Sequence, residues 1–497
     1  MPERRPAPRS PLELFAVSPE SPAPIYRQLF AEIREAIMTG KLGPGTLLPS
    51  TRALARQIGV ARGTVENAYA QLQSEGYLTG RTGSGTYVTE TLPDELLRAD
   101  RSAQSPGAEA GLQRLSGRGE AMSRVPPGPV AAWHGCPFEV GMPSLEAFPA
   151  RIWGGLAGRR RRHGHGREML LAGEVQGYRP LREAIVAYLA AARSVTCSAD
   201  QVFIVGSVRL ALDLVGHLLL DPGDAVWIEE PGLPTAHDAF RSAGARLFPA
   251  PVDPEGLDVV LAASRCPEAR LAYLTPSHQF PLGMTMSLAR RLALLDWARD
   301  AGAWLIEDDH DGEFRYQGRP LPALQGLDRH GRVIYVNSFI KILFPALQVA
   351  YLVVPEGLVE PLSRVRTLLE LQPSPFEQAV LADFISEGHF VRQIRRIRAL
   401  YAERQAVFLE MFRSDLAGLV EIEERNSGMH LVGWFRPGID ERAALEAAAR
   451  AGVTVMGLSE CRLANSPEAA AGVVLGYAGY ADHEIRGAAR RLANAWG

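Results

Sequence analysis

The sequence predicts an α/β protein in which a small helical unit precedes a large body built on a mostly parallel sheet. Three observations carry this. Short apolar runs in the later part alternate with helical patterns, as strands buried on both faces and joined by helices do. Residues 25–76 hold three amphipathic stretches, each closed by a glycine. A Gly-rich hairpin pattern follows them at once. At 497 residues the chain is too long for one ordinary domain.

The elements follow in chain order. In "IYRQLFAEIREAIMTG", Ile25, Leu29, Ile33 and Ile37 fall on one helical face, and Gly40 stops it. "LPSTRALARQIG" offers Ser50 or Thr51 as an N-cap before Leu54, Ala55 and Ile58. "GTVENAYAQLQSEG" places Val65, Ala68, Tyr69 and Leu72 together. "YLTGRTGSGTYV" alternates around a glycine-rich tip. Two short helices joined by a tight turn and then a hairpin make a winged helix-turn-helix over residues 21–88. A small helical protein–protein module is the other reading of this pattern.

Residues 89–132 lack periodicity and read as a flexible linker. Residues 133–497 carry the strand runs "QVFIVG", "AVWIEE", "RLAYLTP", "AWLIEDD", "VIYVNSF" and "VAYLVVP". Beyond about Pro355 long Arg-rich helices precede a smaller α+β part. Ligands of open α/β sheets sit at the carboxyl ends of strands. That points to Asp308, Asp309 and His310 after one strand, and to Ser338 and Lys341 after the next.

Bulk numbers exclude some classes. The chain is 46% hydrophobic and 22% charged, with net charge −3, so total charge implies no nucleic-acid or membrane partner. Charge is local, however. Residues 21–88 hold seven Arg or Lys against four Glu, a net +3. Arg52, Arg62 and Thr64 at helix starts, and Arg81, Gly83 and Ser84 at the wing, are the candidate DNA contacts. No apolar run of about 18 residues is present, and the N-terminus lacks the apolar core of a secretory signal. Four cysteines without a C-x-x-C fit a reducing cytoplasm. No metal site is expected. His163 and His165 lie too close together beside glycines. "RRRRHGHGR" reads first as a solvated helix end and second as an extra DNA-backbone contact.

Both parts resemble known families. "PIYRQLFAEIREAIMTGKLGPGTLLPSTRALARQIGVARGTVENAYAQLQSEGYLTGRTGSGTYV" resembles the GntR family of winged-helix regulators. "TPSHQFPLGMTMSLARRLALL", "IEDDHDGEFRYQGRPLPALQGLD" and "SFIKILFPALQVAYLVVP" resemble a fold-type I aminotransferase. The fused order is similar to the MocR/GabR subfamily. The resemblance implies pyridoxal phosphate held as a Schiff base on Lys341, one of only two lysines in the chain. Only a primary amine condenses with the aldehyde, so arginine cannot replace it. The resemblance further implies Asp308 against the pyridine nitrogen, Ser338 and Ser207 near the phosphate, and His310 near the phenolic oxygen. It also implies a head-to-tail homodimer, double-stranded DNA and a small-molecule effector as partners, and no membrane.

Several positions depart from the family pattern. Gln348 replaces the phosphate arginine, Leu233 the stacked tyrosine, His310 a tyrosine and Ile340 a serine. Val208 and Arg209 stand for two glutamines, and Ala172 for a tyrosine. The α-carboxylate arginine falls at Val473 or Val474. The expectation is a transcriptional regulator with a degenerate, non-catalytic aminotransferase-like sensor. An active aminotransferase carrying a DNA-binding module is the alternative. Without cofactor, Lys341 is expected to lose its proton or pair with Asp308.

Overall fold

The computed structural model describes residues 15, 17–18, 21, 23–81, 85–90, 115–123, 135–162, 173–318, 321–369, 372–463 and 470–497. They form two compact units, Met1–Arg114 and Leu115–Gly497.

The first unit holds α1 (Ile25–Met38), β1 (Leu47–Leu48), α2 (Thr51–Ile58), α3 (Arg62–Ser74), β2 (Leu78–Arg81) and β3 (Gly85–Val88). Ser50 is the N-cap of α2, its hydroxyl accepting from the Ala53 amide at 3.2 Å. Gly59 ends α2 at φ 70°, a left-handed turn that sets the angle to α3. Leu29, Ile33, Leu54, Val65 and Leu72 are fully buried between the helices. Each such side chain contributes about 1.5–3 kcal/mol, more than the roughly 1 kcal/mol of the Ser50 cap. Packing therefore outweighs capping here. Strand β1, only two residues long, pairs with β3 and carries no readable alternation. It escaped the sequence reading for that reason.

The second unit is built on an eight-stranded sheet. Its strands are β4 (Val202–Val205), β5 (Ala225–Glu230), β6 (Arg246–Asp253), β7 (Gly256–Leu257), β8 (Leu271–Leu274), β9 (Trp304–Asp308), β10 (Val333–Ser338) and β11 (Ala350–Val353), in the order β4-β11-β10-β9-β8-β5-β6-β7. The run from β10 to β6 is parallel. Along β5, Val226 and Ile228 enter one apolar cluster while Ala225 and Trp227 enter another, so both faces are covered. This is why the strand runs read as continuously apolar.

Two features differ from expectation. Strand β11 is antiparallel to both β10 and β4. The segment joining β10 to β11 holds only the short helical turn Pro345–Leu347 and no crossover helix, the usual means of joining parallel strands. Strand β6 was hidden by Pro249 and Pro251. Proline suits an edge, and beyond β6 lies only the two-residue β7. A second sheet of β12 (Val420–Ile422), β13 (His430–Phe435), β14 (Met456–Gly457) and β15 (Gly472–Gly476) is wholly antiparallel, in the order β12-β13-β15-β14. Within the expected linker, Gly117–Ser123 is helical. It has no apolar stripe to announce it, and Ser116 starts it by accepting from the Gly119 amide. Arg159 and Arg160 of the basic run pair with Asp383 inside the unit. His163 and His165 lie outside the described residues.

A buried ion pair fixes the centre of the sheet. Arg193 Nε and Nη2 donate to the two carboxylate oxygens of Asp309 at 2.6 and 2.7 Å. The Tyr335 hydroxyl adds a third bond at 2.7 Å. Their side chains are 3% and 0% exposed. Such pairs add little net stability when intact, but breaking one strands a buried charge. Arg193→Met is expected to cost about 3–5 kcal/mol in urea unfolding followed by far-ultraviolet circular dichroism. A loss below about 1 kcal/mol would contradict the role given to this pair.

Candidate functional site

Residues Glu307, Asp308, Asp309 and Asp311 are all buried at and just beyond the carboxyl end of β9. Each carboxylate has a different partner. Glu307 accepts from the Leu324 and Gln325 amides at 2.7 and 2.9 Å. Asp308 accepts from the Tyr273 hydroxyl at 2.7 Å and from the His310 amide at 3.1 Å. Asp309 holds Arg193. Asp311 pairs with Lys341, Nζ to Oδ1 at 2.8 Å. Gly312 is needed beside them, because a Cβ there would lie 2.3 Å from Asp309 Oδ1.

The lysine partner is thus Asp311 and not Asp308, contrary to expectation. Asp311 adopts φ 59°, a left-handed conformation in the turn after β9. Asp308, by contrast, is engaged by Tyr273 on the neighbouring strand β8. Burial pushes Asp308 up to about 6, against the pull of the Tyr273 hydroxyl and the Lys341 charge. Asp311 is held well below the usual carboxylate range: Lys341 and the surrounding histidines outweigh its desolvation.

Lys341 lies in the turn after β10, half-buried, with Gly141 close to its stem. Ser338 closes β10, its amide donating to Asn337 Oδ1 at 2.6 Å. Ser207 follows β4 and is the N-cap of the helix Val208–Leu219, its hydroxyl accepting from the Leu210 amide at 3.1 Å. Because β4 and β10 are both antiparallel to β11, their carboxyl ends share one edge of the sheet. The sheet therefore brings Asp308, His310, Ser338, Lys341 and Ser207 to a common rim. His310 is buried with no partner on either ring nitrogen.

The departures have visible consequences. Gln348 is exposed at φ 47°. Leu233 packs into two apolar clusters. Val473 and Val474 are fully buried in β15, so neither could reach a ligand. Arg209 is exposed, and its charge acts on Asp238 of the next helix. The rim offers a primary amine, a buried acid and a helix N-terminus. These fit the aldehyde, ring nitrogen and phosphate of pyridoxal phosphate. The clamp arginine and the stacking ring are missing.

On the winged unit, Arg52 and Arg62 are exposed in the first turns of α2 and α3. Arg62 Nε pairs with Glu66 at 2.8 Å on the same face. Thr64 is half-buried. Asn67 is exposed on α3 and was missed, although asparagine can bond both edge groups of adenine. Gly83 and Ser84 lie outside the described residues, as does the side chain of Arg81.

Comparison with known proteins agrees with this architecture. Residues 25–88 match the family described as bacterial regulatory proteins, gntR family. Residues 155–492 match aminotransferase class I and II. The chain is 40% identical to the probable rhizopine catabolism regulatory protein MocR of Rhizobium meliloti, over 97% of this chain and 96% of that one. It is 34% identical to the uncharacterized HTH-type transcriptional regulator YhdI of Bacillus subtilis, covering 96% and 97%. Among solved structures it is similar to LysN, the α-aminoadipate aminotransferase of Thermus thermophilus, with TM-score 0.70 and 27% identity over 76% of this chain and 96% of that one. The chain belongs to the GntR family of bacterial regulatory proteins, in the MocR-type branch that joins a winged helix to an aminotransferase class I and II domain.

Proposed function

We propose that this chain is a DNA-binding transcriptional regulator whose aminotransferase-like unit senses a small molecule and does not turn over amino acids. One observation carries the reading. A winged helix with outward arginines is joined to a sheet rim that keeps Lys341 and Asp308 but has Gln348, and Val473 or Val474, where the resembled enzymes have arginines. In this reading residues 21–88 contact DNA, 89–132 connect, and 133–497 sense the effector and form a head-to-tail homodimer in the cytoplasm. No described helix is long and apolar enough to cross a membrane.

Pyridoxal phosphate, when bound, supplies an aldehyde that condenses with a primary amine. Lys341 is the amine at the rim. Asp308 would keep a proton on the ring nitrogen, and Ser207 and Ser338 would meet the phosphate. The unpartnered nitrogens of His310 suit a ligand oxygen. Loss of the clamp arginine removes a charge-assisted bidentate contact, and loss of the stacked ring removes about 1 kcal/mol. Binding weaker than in the enzymes follows. Engaging Lys341 takes the ammonium from Asp311 and leaves a buried carboxylate without its partner. A ligand on Lys341 thus competes with the ion pair to Asp311, and such competition is a differential contact of the kind a sensor uses.

The alternative, an active aminotransferase carrying a DNA-binding module, draws on Lys341, Asp308 and Ser338 at adjacent strand ends. Turnover of an amino donor to a keto acid by protein loaded with pyridoxal phosphate would overturn the sensor reading. In gel shifts with upstream DNA, folded Arg52→Ala/Arg62→Ala protein is expected to lose binding. Normal binding by that variant would remove the DNA assignment. Adding pyridoxal phosphate should raise a visible absorption band in wild type and none in Lys341→Ala. Equal bands in both would remove Lys341 from the pocket.

A further inference from the structure

We propose that His278, Asp311 and His430 form a binding site for a divalent first-row transition-metal ion beside Lys341. The three residues come from the loop after β8, the turn after β9 and the start of β13. One ring nitrogen of each histidine and one oxygen of Asp311 lie within 4.8 Å of one another, and all three residues are buried. Their separation in the chain hid them from any spacing motif.

Hydrogen bonding fixes which atoms face inward. His430 Nε2 donates to the Pro281 carbonyl at 3.1 Å. A carbonyl only accepts, so in the neutral ring Nδ1 carries a bare lone pair. That nitrogen stands 3.9 Å from Asp311 Oδ2, an acceptor without a partner. Two acceptors facing each other in a buried space call for a proton or a cation. His278 Nδ1 engages the Ser427 hydroxyl at 3.0 Å, leaving Nε2 unpartnered. Both imidazoles thus have one nitrogen anchored and the other free, the arrangement that orients histidine ligands of metals.

Two imidazoles and a carboxylate suit zinc, iron, cobalt or nickel better than magnesium or calcium. Metal–ligand distances of about 2.0–2.2 Å require the three atoms to draw in by as much as about 1 Å. The charges nearby are Lys341, on Asp311 Oδ1, and Arg425, which also acts on His278. Both oppose a cation, so removing Lys341 should tighten binding. His430 and Arg425 also line a cleft of about 90 Å³.

The test uses full-length protein stripped by a chelator and dialysed against Zn²⁺ alone. One ion per chain is expected, bound at least about tenfold more weakly by His278→Gln and by His430→Gln. Lys341→Ala should bind as tightly or more tightly, which separates this site from the cofactor reading. Co²⁺ added to wild-type protein should give visible ligand-field bands without a thiolate band, and this decides the matter if a histidine variant does not fold. No retained Zn²⁺, equal affinity in both histidine variants, or a thiolate-to-cobalt band from the free cysteines would overturn the proposal.

Discussion

Four buried carboxylates within five residues must each find a partner, and the rest of the large unit is arranged around that requirement. A carboxylate taken out of water without compensation costs more than any single packing contact returns. Backbone amides serve Glu307, a tyrosine hydroxyl serves Asp308, and an arginine serves Asp309. Only Asp311 depends on a side chain that a ligand could take away, the half-buried Lys341. The first three hold the frame, and the fourth can act as the switch.

The sheet explains why this chemistry collects in one place. Parallel strands point their carboxyl ends the same way, and β9 lies between β8 and β10, so Tyr273, Asp308 and Ser338 share a rim. Antiparallel β11 then brings β4, with Ser207, to the same edge. The frame of an aminotransferase class I and II domain is therefore present, and in the proposed sensor reading the groups that grip substrate are replaced. Val473 and Val474 are core side chains, and Gln348 faces solvent.

Much of this was legible in the sequence. The six apolar runs became strands, and a lone lysine after one of them marked the rim. The glycine-punctuated helices gave the winged fold. What stayed hidden had physical causes. Prolines disguised β6, and two-residue β1 was too short to alternate. Asp311 looked like one more acid in "EDDHD", because nothing in the letters announces a left-handed turn aimed at Lys341. His278 and His430 meet only through tertiary packing.

The central claim is that the lysine at the rim is coupled to the hold on DNA. The most direct measurement is operator affinity with and without pyridoxal phosphate, in wild type and in Lys341→Ala. The account predicts that the ligand shifts wild-type affinity about fivefold or more, within the usual range of coupling between sites, and leaves the variant unmoved. Identical wild-type affinity in both conditions, or an equal shift in the variant, would contradict it.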